Sequence, residues 1–496
     1  MRKSSLLILI LFGLLSCQEE NQLPNCTITN PANGDTIMQG DLVDITVTAD
    51  DADGTVKSVR YYIDDAGIAD VVSAPYGYLW STGNTGPGEH TIKAEVIDDH
   101  GGKGSDIISI IIVNVDPPEA EFTVNSTAPV AGEEVLFTDL SGGDPDMWLW
   151  DFGDGETDTT QHPGHNYELA GQYSVSLTVY NQAGADSIIK ENYIQVSEPL
   201  SESEILLEYL ESEAGGNYVN TLMPAIRTAE HIKTLSTVAT NYIIDIRSPD
   251  DFAAGHIENA VNVAVPDILT HLEGTTEDDG KEEINIVGYT GQTSAWVTCL
   301  LRLSGYDNVY SMKWGMCSWN VEFASKWNSN ISSMYSSQFT TEEADKGPEG
   351  ELPVLSTGYS TGEEILHARI EEVLAAGFGA AKTTGSMVFE ALEDYYIVNY
   401  WPEADYIEIG HIQGAIQYTP KESISLDADL LTLPVDKEIV IYDWTGQVSA
   451  GLAAYLRVIG YDAKTLVFGV NGMIYDDLES HKWSVEAIMD YEYVAE

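Results

Sequence analysis

One stretch of this chain occurs twice, and the repeat restricts what its second half can fold into. The first copy spans residues 255–295 and the second spans residues 410–450. In the first copy His256 lies 32 positions before Gly288, and in the second His411 lies 32 positions before Asp443. A long sequence that recurs at one internal spacing predicts two domains with the same fold.

Each copy alternates apolar strands with helices. Continuous apolar runs such as 242–246 and 438–442 are typical of parallel strands covered on both faces. Helices are predicted at 294–303 and 449–458, each directly after a strand and a glycine-containing loop. Such a loop directs main-chain N–H groups and a helix N-terminus at an anion, at the carboxyl edge of the sheet. The predicted anion loops consist of Gly288, Tyr289, Thr290, Gly291, Gln292 and Thr293, and of Asp443, Trp444, Thr445, Gly446, Gln447 and Val448.

The loop motif, Thr290-Gly291-Gln292 in the first copy, and the earlier Asp245-Ile246-Arg247 resemble the rhodanese family of sulfurtransferases. The resemblance implies a nucleophilic cysteine two residues before the threonine of each loop. Its thiolate would take a sulfane sulfur from a donor such as thiosulfate and pass it to an acceptor such as cyanide. Here Gly288 and Asp443 occupy those positions. The resemblance therefore implies the fold, but both copies lack the nucleophile that the activity requires.

Asp443 has two interpretations. Its carboxylate can fill the N–H nest of its own loop and so exclude an anionic substrate. Alternatively it can act as a nucleophile or a metal ligand, although no base or ligand cluster is visible beside it. The second copy departs further from the family, because Asn399-Tyr400-Trp401 stands where the first copy has Asp245 and Arg247. In the family these two residues order the surroundings of the active site.

Cys317 keeps an enzymatic hypothesis open. It follows the predicted strand 309–312, so it is expected at the same carboxyl edge of the sheet as Gly288. A thiol there could serve a sulfurtransferase or a thiol-redox protein, or it could be a small, partly buried apolar residue. The second copy has Asn471 at this position. His256 and His411 are expected to be structural, because no nucleophile or carboxylate partner is spaced for them.

The first 200 residues predict β structure. Short alternating runs separated by turn residues from 25 to 115 favour an antiparallel sandwich that resembles bacterial Ig-like modules. The motif Trp150-Asp151-Phe152-Gly153-Asp154-Gly155 resembles PKD domains and places the second module at 118–197. The fold class expected for the whole chain is two β-sandwich modules followed by two α/β domains with mostly parallel sheets.

Three aspartates near the end of a predicted strand of the Ig-like module, Asp50, Asp51 and Asp53, are a candidate calcium site. Hard cations bind clustered carboxylates. The same aspartates can instead cap the backbone of a turn. No other metal or cofactor is expected.

The N-terminus carries a targeting signal. Arg2 and Lys3 precede an apolar run from Leu6 to Leu15 that is too short to span a bilayer, and Leu14-Leu15-Ser16-Cys17 resembles a bacterial lipobox. The resemblance implies that Cys17 carries lipid, and therefore that the protein is anchored in the cell envelope. The outer membrane is the expected location, and exposure at the cell surface is an open alternative. The alternative is an ordinary signal peptide. If Cys17 is lipidated, three cysteines remain, so at least one thiol has no partner within the chain.

The composition excludes nucleic acid as a partner. With 80 acidic and 22 basic residues the formal net charge is −58, the opposite of what phosphate binding requires. The chain is expected to present a rhodanese-like pair that binds a protein, a glycan or a small anion. A sulfurtransferase using Cys317, and adhesion through the β modules, remain the alternatives. The expected divisions are 1–17 signal, 18–24 tether, 25–115 Ig-like, 118–197 PKD, 200–216 helical linker, 217–332 first rhodanese-like domain, 333–352 linker and 353–488 second rhodanese-like domain.

Overall fold

The computed structural model describes residues 20–236, 238, 240–274 and 281–496. The signal segment with Cys17 lies outside the described residues. The chain divides into two compact units, residues 1–199 and 200–496. Among the described helices, none is long and apolar enough to cross a membrane.

The first unit contains the two β modules. In the first module one sheet has the strand order β1-β3-β6 and the other β2-β8-β7-β4-β5. The strands are β1 (Asn25–Asn30), β2 (Thr36–Met38), β3 (Leu42–Asp50), β4 (Val56–Ile63), β5 (Ala66–Val71), β6 (Tyr78–Ser81), β7 (Gly88–Asp98) and β8 (Lys103–Val113). Alternate residues of these strands form a buried core around Ile45, Tyr61 and Ile110.

The second module has sheets of order β13-β10-β9 and β12-β11-β14-β15. Its strands are β9 (Phe122–Val124), β10 (Glu134–Asp139), β11 (Met147–Asp151), β12 (Thr157–Asp158), β13 (Gly164–Asn166), β14 (Gly171–Asn181) and β15 (Gly184–Val196). Trp150 and Phe152 of the sequence motif are both buried in its core. Both modules are the β-sandwiches that the sequence predicts.

The second unit contains two parallel sheets with the same topology. The first has the order β16-β20-β19-β17-β18 and the second has the order β22-β27-β26-β23-β25. All neighbouring strands in both sheets are parallel. The strands of the second unit are β16 (Ile226–Arg227), β17 (Asn241–Asp245), β18 (Val261–Asn262), β19 (Glu283–Val287), β20 (Val309–Met312), β21 (Phe339–Thr340), β22 (Lys382–Thr383), β23 (Tyr395–Asn399), β24 (His411–Ile412), β25 (Ile416–Gln417), β26 (Glu438–Tyr442) and β27 (Ala463–Leu466). Strands β21 and β24 belong to neither parallel sheet and pair with each other.

Helices cover both sheets, and one continuous core joins the two α/β domains. The helices are α1 (Glu202–Glu211), α2 (Tyr218–Thr221), α3 (Ala229–Leu235), α4 (Pro249–Ala254), α5 (Ile268–Glu273), α6 (Gln292–Leu303), α7 (Ser325–Asn328), α8 (Gly362–Ala380), α9 (Gly385–Glu390), α10 (Glu403–Ile409) and α11 (Val448–Val458). Helices α6 and α11, which follow the two predicted loops, pack against each other. The repeat therefore forms a closely packed pair rather than two separate domains.

The segment predicted as a helical linker, 200–216, has a different role. Helix α1 packs against α8, and its residues Leu206, Leu207 and Leu210 are at most 2 % exposed within the shared core. The amphipathic pattern identified a helix but not what its apolar face packs against. The prediction of a linker is wrong here, because this helix contributes to the hydrophobic core of the α/β pair.

The segment between the two α/β domains is also more than a connection. Strand β21 pairs antiparallel with β24, so that Thr340 lies opposite His411. The segment near the end of the chain packs against the first domain. There the His256 N–H donates to the Val494 carbonyl and the Val494 N–H donates to the His256 carbonyl, both at 2.9 Å. Each domain is thus bordered by the segment that follows the other.

Candidate functional site

The two loops are built in the same way. In each copy a buried strand ends, a glycine with positive φ turns the chain, and a helix begins; the glycines are Gly291 (φ 89°) and Gly446 (φ 75°). At Gly291 a β-carbon would collide with the side-chain amide of Gln447. Glycine is required there both by the left-handed backbone and by the close approach of the second loop.

Gly288 occupies the position at which the resemblance places a nucleophile. Its φ is not positive, and a β-carbon built on it would meet the main-chain nitrogen of Ser294 at 3.5 Å and that residue's side chain at 3.6 Å. These are ordinary van der Waals contacts. The backbone can therefore carry a side chain at this position, and the missing thiol does not reflect a lack of room for its β-carbon.

Asp443, at the equivalent position of the second loop, is 2 % exposed and bonds to its own loop. One carboxylate oxygen accepts from the Thr445 N–H and hydroxyl, at 3.2 and 3.3 Å. The other accepts from the Ser449 N–H at 3.3 Å and from the Ser449 hydroxyl at 2.7 Å. The donors are the N–H and hydroxyl groups of Thr445 in the loop and of Ser449 in the first turn of α11. The geometry matches the interpretation in which Asp443 fills the anion nest of its own loop.

The loops also close on each other. The Gln292 side-chain amide donates to the Thr445 carbonyl at 3.1 Å, and the Gln447 amide donates to the Gly291 carbonyl at 3.3 Å. Gln447 also accepts from the Trp314 N–H at 3.1 Å. Both glutamines are at most 3 % exposed. The two residues that follow the loop glycines therefore connect the domains.

An aromatic cluster lies beside these contacts. Trp327 stacks on Trp483 with ring centroids 5.7 Å apart, and Trp314 and Phe468 contact Trp327 edge-on at 4.7 and 4.9 Å. Trp314 and Phe468 are equivalent in the repeat and share positive φ angles of 64° and 65°. The cluster thus takes one equivalent residue from each domain and covers the place where the loops meet.

Cys317 belongs to this cluster and is fully buried. Its main-chain N–H donates to the Tyr289 carbonyl at 3.2 Å, which places the residue beside the first loop, at the edge of the sheet that the sequence predicted. Its thiol, however, donates to the Phe323 carbonyl at 3.1 Å. Burial raises the pKa of the Cys317 thiol to about 11. A reactive cysteine requires the opposite shift, since the thiolate is the nucleophile.

Asn471, the counterpart of Cys317, plays a matching part in the second domain. Its side-chain amide donates to the carbonyls of Trp444 and His481, at 2.7 and 3.0 Å, and its side-chain oxygen accepts from the Trp483 N–H at 2.7 Å. Both residues therefore connect the loop to the segment that follows the last strand of their domain. This shared role favours a structural interpretation of Cys317.

Asp245 and Arg247 form a buried ion pair in the first domain, with side chains 1 % and 3 % exposed. Arg247 donates to both carboxylate oxygens and also to the Gly255 carbonyl at 2.6 Å. The remaining guanidinium nitrogen, Nη1, has no partner among the described residues. In the second domain the neutral Asn399 and Trp401 stand in their places, so the charged arrangement exists only in the first.

The two repeated histidines are structural. His256 stacks on Phe252 with centroids 3.7 Å apart and shares a hydrogen bond with its carbonyl. His411 stacks on Tyr406 at 3.6 Å, and its ring nitrogens lie 3.1 and 2.8 Å from the carbonyls of Tyr406 and Glu342. Each ring is held by a helix residue four or five positions earlier.

The three aspartates of the calcium candidate separate in the structure. Asp50 ends β3 opposite Asn25, whose side-chain amide donates to it at 3.3 Å. Asp51 and Asp53 instead face Asp98, the last residue of β7, and Asp99, which follows it. Asp50 pairs with Asn25, so the structure places Asp51 and Asp53, rather than all three aspartates, beside Asp98 and Asp99. Sequence reasoning missed Asp98 and Asp99, although the run Asp98-Asp99-His100 marks them.

Sequence reasoning also missed the contact between the loops. Glutamine recurs at the same place in both copies, and that repetition was the available signal. Taken alone, the repeated glutamine indicates only an anion loop, because local sequence does not reveal which long-range partner a buried amide reaches.

Comparison with known protein families divides the chain into the same domains as the structure does. Residues 24–94 match the bacterial Ig domain, residues 115–196 match the PKD domain, and residues 228–322 and 390–474 match the rhodanese-like domain. A microbial collagenase of Vibrio alginolyticus is 28 % identical over 192 residues, which are 37 % of this chain and 23 % of the collagenase. The chain therefore spans under a quarter of that relative.

Two further relatives represent the separate domains. The solved PKD1 domain of the Vibrio cholerae metalloprotease PrtV is 35 % identical, with a TM-score of 0.14, and matches 16 % of this chain and 99 % of that structure. The thiosulfate sulfurtransferase GlpE of Pseudoalteromonas translucida is 31 % identical over 84 residues, which are 17 % of this chain and 77 % of GlpE. Through its two α/β domains, which follow an Ig-like and a PKD domain, the chain belongs to the rhodanese-like family.

Proposed function

We propose that this protein is a cell-envelope lipoprotein whose rhodanese-like pair binds or organises a partner without catalysing sulfur transfer. One observation carries the proposal. The two positions that should hold the nucleophile are Gly288 and Asp443, and the loops around them are bonded to each other through Gln292 and Gln447. A sulfurtransferase needs an accessible thiolate at the loop, and neither loop supplies a thiol.

The main enzymatic alternative is a sulfurtransferase that uses Cys317, and membership of the family supports it in general terms. Against it stands the position of the thiol, which is buried among Trp314, Trp327 and Trp483 and bonded to a carbonyl. With its pKa raised to about 11, this thiol is almost entirely protonated at neutral pH. Exposing and ionising it would require the aromatic cluster to open.

The test is thiosulfate:cyanide sulfur transfer by the full chain, compared with Gly288→Cys and with Gly288→Ser as a matched control. The native chain and Gly288→Ser should be inactive. Turnover by the native chain that disappears in Cys317→Ser would overturn the proposal.

Gly288→Cys then distinguishes two kinds of ligand. Activity in this variant would mean that the nest of the first loop still admits a small anion, since the position has room for a β-carbon. Inactivity in a folded variant would indicate that the contact between the loops excludes small anions. In that case a protein or glycan on the outer surface of the pair becomes the expected partner.

The lipid anchor has a separate basis. The sequence ends its apolar leader at Cys17, and two or more acyl chains suffice for stable membrane attachment. The native chain should fractionate with membranes and take up labelled fatty acid, and Cys17→Ser should do neither. Equal membrane attachment of both would contradict the anchor.

A second candidate function belongs to the β modules. It is favoured by the match over 192 residues to a protein named a microbial collagenase. If the Ig-like and PKD modules bind a fibrous protein or glycan, a chain lacking residues 25–197 should lose binding to insoluble collagen or to a glycan array. Equal binding by the shortened chain would exclude this role.

A further inference from the structure

Four carboxylates converge at one end of the Ig-like module. Asp51 and Asp53 lie between β3 and β4, Asp98 ends β7, and Asp99 follows it. A ligand atom from each of Asp98, Asp99 and His100 lies within 4.8 Å of the others. A β-carbon placed on Gly54 would lie 2.5 Å from Asp51 Oδ2 and equally far from Asp99 Oδ1. Those two oxygens are therefore close enough to share one cation at the 2.3–2.6 Å typical of Ca²⁺.

Asp51 shows that the group lacks a counter-charge. Both of its carboxylate oxygens are buried, and no donor among the described residues meets hydrogen-bond geometry with either. A buried carboxylate without donors is costly unless a proton or a cation accompanies it.

Asp98 and Asp99 are held in place by hydrogen bonds. Asp98 is fully buried and accepts from the N–H groups of His100 and Gly102, both at 2.8 Å. Asp99 accepts from the Thr55 hydroxyl at 3.2 Å and lies 3.0 Å from the His100 ring nitrogen. Hydrogen-bond donors thus orient Asp98 and Asp99, whereas the Asp51 carboxylate beside them has no donor among the described residues.

We propose that Asp51, Asp53, Asp98 and Asp99 bind one Ca²⁺ ion that joins the two loops. The four proposed ligands are carboxylates, whose oxygens suit a hard cation rather than zinc, and the His100 ring nitrogen lies 3.0 Å from Asp99. Ca²⁺ takes six to eight oxygens in flexible geometry, so water and main-chain carbonyls can complete the shell. Mg²⁺ is disfavoured because it requires near-ideal octahedral geometry at shorter distances.

Two glycines keep the site open. A β-carbon on Gly54 would intrude between Asp51 and Asp99, and one on Gly102 would collide with the Asp98 carboxylate and the Asn21 side chain. Any side chain at either position would occupy the space where the carboxylates meet.

The site also includes the start of the described chain. The Asn21 side-chain amide donates to Asp98 and the Gln22 N–H donates to Asp53, both at 2.9 Å. An ion bound here would hold the segment that leads to the module against its two loops. The consequence for a membrane-anchored chain is a stiff rather than a freely hinged connection at its first module.

The test is calorimetric titration of CaCl₂ into the chelator-treated full chain at about 0.15 M salt, which screens the strongly acidic surface. One Ca²⁺ should bind with a Kd of roughly 10⁻³ M or tighter, the range of extracellular modules and stronger sites. Asp51→Asn should weaken binding by about tenfold or more, because affinity depends on ligand charge. Asp50→Asn, a neighbour outside the site, should bind as the native chain does.

Thermal unfolding provides a second measurement, which detects bound Ca²⁺ through its effect on stability rather than through the heat of binding. Chelation should lower the unfolding midpoint of the native chain and of Asp50→Asn, and lower that of Asp51→Asn clearly less, because stabilisation by a ligand follows its affinity. The proposal is overturned if no ion binds at about 10 mM Ca²⁺, ten times the weakest Kd expected. It is also overturned if Asp51→Asn binds like the native chain, or if Mg²⁺ binds equally well.

Discussion

Gln292 and Gln447 occupy the same place in the two copies of the loop, and the side-chain amide of each donates to a main-chain carbonyl of the other loop. The distances are 3.1 Å to Thr445 and 3.3 Å to Gly291. In an active rhodanese-like domain the same loop would cradle a substrate anion. In this chain the two loops are part of the interface that joins the domains.

The first prediction concerns the interface. Gln447→Ala removes the bonds to the Gly291 carbonyl and the Trp314 N–H. The carbonyl still accepts from the Ala295 N–H and the Ser294 hydroxyl, but the buried Trp314 N–H loses its partner. Unfolding of the α/β unit by denaturant should show a loss of about 1–3 kcal/mol. The control is Gln413→Ala at an exposed position, which should change stability by no more than about 0.5 kcal/mol. Equal effects of the two changes would contradict the interface role.

Asp443 provides the second prediction. Its two oxygens accept from Thr445 and Ser449, so an amide in its place would direct hydrogens at N–H donors. Asp443→Asn should lower the free energy of unfolding by about 1–3 kcal/mol. Asp427→Asn changes an exposed aspartate of the same domain and should have little effect. If Asp443→Asn were as stable as the native chain, the carboxylate would not be needed to fill the nest.

The third prediction concerns the ion pair of the first domain. Arg247→Met leaves the Asp245 carboxylate buried without its partner, which should cost about 3–5 kcal/mol. Asp245→Asn combined with Arg247→Met should cost clearly less, because no charge is then left unpaired. The neutral Asn399 and Trp401 of the second domain show that the fold accepts an uncharged arrangement there. Additive losses in the double variant would contradict this account, as measured by denaturant unfolding.

The fourth prediction concerns the thiol of Cys317, whose pKa is raised to about 11 from an ordinary value of 9.0. Iodoacetamide at pH 8 should leave it unmodified in the folded chain, and denaturant should expose it together with Cys26 and Cys299, as peptide mass spectrometry would show. Because the folded pKa lies above the unfolded value, the stability that the neutral thiol contributes is complete below pH 9. It should be lost as the pH rises towards 11. Rapid labelling of the folded chain would contradict this burial.

The sequence predicted the parallel strands and the loop positions because short-range patterns determine them. The apolar run 438–442 and the glycine of Thr445-Gly446-Gln447 specify a buried strand and a turn locally. The contact of Gln447 with Gly291 joins residues 156 positions apart, and no local pattern encodes it. The pairing of Thr340 with His411 is made by main-chain atoms, so the polar segment 333–352 indicated only a linker.

The most direct measurement is the intact mass of the full chain after exposure to thiosulfate, since every rhodanese-type cycle passes through a protein persulfide. We expect the native mass to be unchanged, because neither Gly288 nor Asp443 can carry sulfur and Cys317 is buried and protonated. A gain of one sulfur atom, mapped to Cys317 and lost on treatment with cyanide, would contradict the central claim that this rhodanese-like pair is not a sulfurtransferase.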